Sequence, residues 1–363
     1  MSTATTPLRV AMISYYMPSG SKIGVGYQVH ELANALVTRG HSVTVFSPCS
    51  PSAGALYEAE SVALEGSNRT FKFALRLRHV DWTRFDVLHA HGDDYWLWRR
   101  RVPAHVRTLH GSCLSEARWI PGMRERLRMV LLGLSEILAS LVADETVAVS
   151  DSTRRWLPWV RSVVPNGVDL RRFHPGDQST SPSLLFVGTY RRRKRGKLLA
   201  EVFQRDVLPA LPTAELWMVC EDAEPQPGVK VLGRVSDDDL AELYRRAWAF
   251  CLPSTYEGFG IPYVEAMASG CPVVATPNPG ALEVTRNGTL GVIVDDDRLG
   301  ETLVRLLSSS ADRERLAQDA LVGVSRYDLR SVAATYERIY LRLLDARPKV
   351  DAGSSRTLVL RRP

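Results

Sequence analysis

Residues 256–265 read Tyr-Glu-Gly-Phe-Gly-Ile-Pro-Tyr-Val-Glu, and their types and spacing suit phosphate and sugar chemistry. The segment falls between an apolar run at 247–253, which reads as a strand, and a helical stretch at 263–268. Gly258 and Gly260 carry no Cβ, so a ligand can approach their backbone closely. Pro262 suits the first turn of a helix, where a missing N–H costs nothing. The amides around Phe259 and Ile261 then point out of the helix, as a phosphate seat requires. Glu257 and Glu265 stand eight positions apart on either side of that seat. A carboxylate repels phosphate, so the two are expected to meet hydroxyl groups. Phosphate donors flanked by hydroxyl acceptors describe a nucleotide-sugar site. The alternative is that both glutamates only complement the positive end of a helix.

The motif continues as Ala-Met-Ala-Ser-Gly-Cys-Pro-Val-Val-Ala-Thr over 266–276. In this form it resembles the signature of the retaining glycosyltransferases of family GT4, which have the two-domain GT-B fold. The resemblance implies that Glu265 binds the ribose hydroxyls of a donor nucleotide and Glu257 the hydroxyls of the transferred sugar. It implies that the backbone around Gly258, Phe259 and Gly260 holds that sugar or its diphosphate.

Five further segments carry the resemblance. Lys22-Ile23-Gly24-Val25-Gly26 precedes the first helix. A dinucleotide-binding loop fails there: Val29 stands where a third glycine belongs, the loop after Ser14 is long, and no acidic residue ends the strand at 42–46. In the family a Gly-Gly loop at this place approaches the diphosphate. Gly24 matches the second glycine and Ile23 departs from the first, leaving Gly24 as a phosphate contact or as a turn glycine. His110, at the end of a strand, resembles the family histidine that contacts the donor sugar. His89 and His91 are read as structural or acceptor-side residues, and no metal site is expected. Residues 165–169, Pro-Asn-Gly-Val-Asp, with Phe173 and Pro175, match the family's strand-to-linker motif, and Glu283 its glutamate after a glycine turn, read as a structural partner.

The fifth segment is Gly188-Thr189-Tyr190-Arg191-Arg192-Arg193-Lys194-Arg195-Gly196. Loss of a nucleoside diphosphate concentrates charge on the departing phosphate, and a fixed donor beside it is worth about 10²–10³ in rate. The family uses an arginine after the first glycine and a lysine before the second. Here Thr189 and Arg195 occupy those places, and Arg191, Arg193 or Lys194 is left to supply the missing cation. Arg193, Lys194, Arg195 and Thr189 are therefore the candidates in this loop. A solvated basic loop or a nucleic-acid patch is the alternative.

Alternating short strands and helices must position these groups. Strands are expected at 8–14, 42–46, 86–89, 106–109, 145–149 and 162–164, and again at 184–187, 215–219, 229–232, 247–253, 272–275 and 291–294. That pattern predicts an α/β chain of two doubly wound Rossmann-like domains facing across a cleft. The expected division is an acceptor-binding domain at 1–172 and a nucleotide-sugar domain at 173–328. A helix at 329–346 is expected to pack back on the first domain, before a disordered basic tail at 347–363.

The 363 residues are long enough for two cores, and 45% apolar with 24% charged content is ordinary for a water-soluble chain. A formal charge of +6 favours anionic partners without choosing among them. Five scattered cysteines read as reduced thiols of a cytosolic protein. No signal peptide is visible, and the apolar stretch at 129–143, which contains Glu136, is too short to span a bilayer. A cytoplasmic location with peripheral membrane contact is expected. Trp96, Trp98, Arg99, Arg100 and Arg101, with the arginines and Trp119 of 118–128, form either a face for a lipid-linked acceptor or the polar side of a buried helix.

The expected activity is transfer of a sugar from a nucleotide diphosphate-sugar to a hydroxyl of a glycan, glycolipid or small-molecule acceptor, with no cofactor and no nucleic-acid partner. Retention at the anomeric carbon is implied by the resemblance. The rivals are a glycan phosphorylase, a catalytically impaired sugar-nucleotide-binding protein and a basic nucleic-acid binder.

Overall fold

The computed structural model describes residues 6–20, 24–97, 104–118 and 122–346. Lys22, Ile23, Trp98, Arg99, Arg100, Arg101, Trp119 and the tail 347–363 lie outside the described residues.

Two parallel sheets organise the chain. The first runs β3 (Glu58–Ser61), β2 (Ser42–Ser47), β1 (Arg9–Ile13), β4 (Val87–Ala90), β5 (Ala104–Leu109), β6 (Glu145–Ala148), β7 (Ser162–Val163) in space. The second runs β10 (Val229–Val231), β9 (Glu215–Val219), β8 (Ser183–Val187), β11 (Ala249–Leu252), β12 (Val273–Ala275), β13 (Val292–Ile293). The central strands are mostly apolar and buried, as strands covered on both faces tend to be, with Arg9 exposed at the start of β1 and His89 buried in β4. In each sheet the strand order reverses once, between β1 and β4 and between β8 and β11. Crevices open beyond the strand ends at such switch points.

β3 escapes the sequence pattern because Glu-Ala-Glu-Ser has no buried face: all four residues are exposed. Its charged edge leaves the sheet a poor template for another chain. The helix expected from 263 begins earlier, at Ile261, because Gly260 takes the left-handed conformation (φ 92°) that starts it.

The chain crosses between domains twice, side by side. Val168 donates to the Tyr327 carbonyl (2.8 Å), and Leu329 donates to that of Val168 (3.0 Å). Gly167 admits this crossing, since a Cβ there would lie 2.8 Å from Leu329 Cδ1. The closing helix, Leu329–Asp345, packs its Val332, Tyr336 and Tyr340 face into the core of the first sheet, beside Val10, Met12 and Val29. Glu337 on that helix accepts from Arg39 Nε (2.9 Å) and meets His41 Nε2 (3.1 Å).

Candidate active site

The N-terminus of the helix Ile261–Ala268 faces the first domain. Among the described residues, the amides of Phe259, Gly260 and Ile261 have no hydrogen-bond acceptor. They form the positive end of the helix. Each glycine here answers a contact. A Cβ on Gly260 would lie 2.4 Å from the Tyr263 ring, one on Gly280 2.6 Å from the Phe259 carbonyl, and one on Gly258 3.2 Å from the His110 carbonyl of the opposite domain. Phe259 itself is buried, edge-on to Tyr327 at 5.7 Å, so only its backbone is available to a ligand.

Glu257 is buried and accepts from Ser254 Oγ (2.7 Å). Arg193 Nη1 lies 2.9 Å and Lys194 Nζ 3.4 Å from its carboxylate. Burial pushes the carboxyl up, but Lys194 and Arg193 more than offset that and hold it below the usual range. Arg193 also donates to the Tyr256 carbonyl (2.6 Å). Glu265 is half-buried and accepts from Tyr244 Oη (3.0 Å). Burial raises it to about 7, against the opposing effects of that hydrogen bond and of Lys194. Lys194 thus acts on both carboxylates.

The neighbouring cation is placed differently from the sequence expectation. Arg195, at φ 53°, donates to the Pro253 carbonyl and to Thr276 Oγ1 (3.1 Å) and forms a bidentate pair with Asp296 (2.6 and 2.9 Å). It ties the ends of three strands together. Thr189 is exposed, and its hydroxyl donates to the Arg191 carbonyl (3.0 Å). Arg191 pairs with Glu224 (3.0 Å). Of the cations in the loop, Arg193 and Lys194 converge on Glu257, whereas Arg195 pairs with Asp296 and Arg191 with Glu224.

Gly24 opens the first helix, Gly24–Thr38, and a Cβ there would lie 3.5 Å from Ile261 Cδ1 across the cleft. Gly26 has a packing role, since a Cβ would lie 2.8 Å from the Tyr16 carbonyl. The His110 ring turns away from Gly258: its Nε2 lies 2.9 Å from His91 Nδ1. Burial lowers His110 to about 4, despite the opposing effect of the Asn166 side chain, and pushes His91 well below its ordinary value. His89 is buried between Tyr340 Oη (2.6 Å) and Thr108 Oγ1 (2.7 Å). His110 therefore brings its backbone carbonyl, not its ring, to the Gly258 side of the cleft.

Two ties across the cleft are not evident from the sequence. Ser150 Oγ donates to the Gly258 carbonyl (3.0 Å), and Glu283 accepts from the amides of Asp151 (2.8 Å) and Ser152 (3.1 Å). The Ser-Asp-Ser run at a strand end signals a helix start, capped by Ser150, which accepts from the Thr153 amide, but nothing local reveals that Glu283 of the other domain takes the two preceding amides. Among the described residues, no group of three or more His, Cys, Asp or Glu is arranged to hold a metal ion.

Residues 23–172 match the family model described as Glycosyltransferase Family 4, and residues 181–309 the model described as Glycosyl transferases group 1. The chain belongs to the family 4 glycosyltransferases. Its relatives include a phosphatidyl-myo-inositol mannosyltransferase of Mycobacterium leprae, 29% identical over 391 residues, 96% of this chain and 100% of the relative. A D-inositol 3-phosphate glycosyltransferase of Salinispora arenicola is 31% identical over 289 residues, 65% of this chain and 64% of the relative. A sucrose-phosphate synthase from Thermosynechococcus elongatus superposes with a TM-score of 0.77 over 94% of this chain and 100% of its own, at 19% identity, a likeness of fold. The two parallel-sheet domains are thus those of a GT-B glycosyltransferase.

Proposed function

We propose that this glycosyltransferase moves a sugar, with retention, from a nucleoside diphosphate donor to a hydroxyl of a lipid-linked or polyol acceptor in bacterial surface-glycan synthesis. The observation that carries the donor site is the convergence of Arg193 and Lys194 on Glu257 at the free amides of Phe259–Ile261, opposite Gly24. The diphosphate sits on those amides and beside Lys194. Glu265 accepts from the ribose hydroxyls, and Glu257 from the hydroxyls of the sugar. The His110 carbonyl lines the sugar's other side.

Both carboxylates of the proposed site, Glu257 and Glu265, are assigned to donor hydroxyls in this reading, so it does not use a two-carboxylate scheme. In the proposed route the departing phosphate oxygen takes the proton of the incoming hydroxyl on the same face. Lys194, Arg193 and the helix N-terminus hold the charge that develops there. No metal takes part in this reading. The acceptor lies on the first domain, and the relative that acts on phosphatidyl-myo-inositol supports a lipid-carried one. No helix of the described residues is long and apolar enough to cross a membrane, and peripheral contact with such an acceptor is part of the proposal.

Thr189 favours a second reading, a sugar-nucleotide-binding protein of impaired activity, because its side chain supplies no cation. A thermal-shift panel of UDP-, GDP-, ADP- and TDP-sugars with and without magnesium, followed by assay of donor turnover, tests both. Selective stabilisation by one nucleotide with magnesium-independent turnover is expected. Stabilisation without turnover selects the second reading, and no stabilisation by any donor removes the site assigned here.

A further inference from the structure

The helix Met123–Val142 has an apolar face that nothing in the chain covers. Leu127, Leu131, Leu134, Leu138 and Leu141 are all exposed, with Leu138 at 64% and Leu141 at 62%, and follow one another in steps of four, three, four and three residues. Met123 and Val142 extend the face to both ends of the helix, which is about 30 Å long. The helix cannot roll to hide it. Its opposite side is packed through Met129, Leu132 and Ala139, and a Cβ on Gly133 would lie 2.6 Å from Leu114. Glu136, the single charged residue between Arg128 and Asp144, points inward and accepts from the Cys113 amide (3.1 Å) and thiol (3.0 Å).

We propose that this face lies in the interfacial region of an anionic membrane and brings the first domain to its acceptor. The link to the acceptor rests on the function proposed above, whereas the docking itself rests on the helix. Three features favour a lipid surface over a second copy of the chain. Exposed Arg124 and Arg126 occupy the first turn, where lipid phosphates would meet them, while Arg128 beside them is paired with Glu125 (3.0 Å). Exposed Trp159 stands at the other end, its indole N–H held by Ser140 Oγ (3.0 Å), as an amphipathic ring at headgroup depth. Beside the leucines, Val130, Ser135, Ile137 and Val142 carry no charge to set the register of a partner helix, which a coiled-coil pair uses and a fluid surface does not need.

The test is co-sedimentation of the full chain with phosphatidylcholine vesicles, with and without phosphatidylglycerol, beside its oligomeric state in solution. Binding to the anionic vesicles that weakens with salt is expected. Changing Leu131, Leu134 and Leu138 together to Ser should weaken it by at least about tenfold. Those side chains are exposed, and an unchanged melting temperature with retained nucleotide stabilisation shows that fold and donor site survive. A triple variant that binds vesicles as the parent does overturns the proposal. So does a parent that ignores vesicles, whether as a monomer or as a dimer that the triple variant breaks. Failure of the donor panel with vesicle binding intact would instead remove the proposed function and leave the docking face standing.

Discussion

His91 Nδ1 and His110 Nε2 lie 2.9 Å apart, with their rings stacked at 5.2 Å, so one neutral imidazole donates to the other. The bond anchors the His110 ring inside the first domain while its carbonyl faces Gly258. Burial holds both imidazoles below the ordinary 6.5, His110 at about 4.

The sign of the resulting pH dependence follows. The unfolded chain takes up these protons near pH 6.5 and the folded chain does not, so stability falls as pH drops from about 6.5 toward 4. His91→Asn keeps a polar partner and removes one titrating group. Its stability should fall by about one proton's slope less over that window. Denaturant melts across pH measure this, and an unchanged slope would show that His91 is not a buried neutral group.

The helix start beneath the proposed donor site was legible in the sequence because it requires only a few adjacent residues. Gly260 and Pro262 carry that requirement in their types alone. The basic loop resisted the same treatment. Five adjacent cations look alike, and Arg195 pairs with Asp296, 101 positions away. Ser150 and Gly258 meet across 108 positions, which no local pattern records. The central strands of both sheets were legible from their apolar runs, and β3 was not, because an exposed edge strand needs no apolar face.

Lys194 and Arg195 should separate in rate. Lys194→Ala removes a cation from the proposed phosphate seat and should lower transfer by about 10²–10³, with a stability loss as well because the buried Glu257 keeps only Arg193 as its cation. Arg195→Ala breaks the bidentate pair with Asp296 and the bonds to Pro253 and Thr276, and should cost about 1–3 kcal/mol of stability. Steady-state rates and melts of both variants decide it. The reverse pattern would return Arg195 to the reaction.

Gly258→Ala tests closure. Its new Cβ would lie 3.2 Å from the His110 carbonyl, tight enough to push the domains apart at the sugar. Transfer should fall by about tenfold or more while nucleotide affinity stays within a few-fold, because a small displacement at the reacting centre is costly. Equal loss of nucleotide binding and transfer would mean that Gly258 serves the fold rather than closure.

Glu265 links the donor to pH. Burial raises its carboxyl to about 7, and the proposed bonds from ribose hydroxyls favour the ionised form, which is the stronger acceptor. Nucleotide affinity should therefore weaken below about pH 7, by up to about tenfold per pH unit. In the ligand-free protein the sign is opposite. The folded chain holds this proton between the ordinary 4.5 and about 7 while the unfolded chain has lost it, so stability declines as pH rises through that window. Glu265→Gln removes the ionisation and keeps a partner for Tyr244. It should raise stability at pH 8 by about 1–2 kcal/mol and flatten the pH dependence of nucleotide binding at a lower affinity. Titration calorimetry and melts at pH 5 and pH 8 distinguish the two effects. A variant that binds nucleotide as tightly as the parent at pH 8 would remove Glu265 from the ribose site.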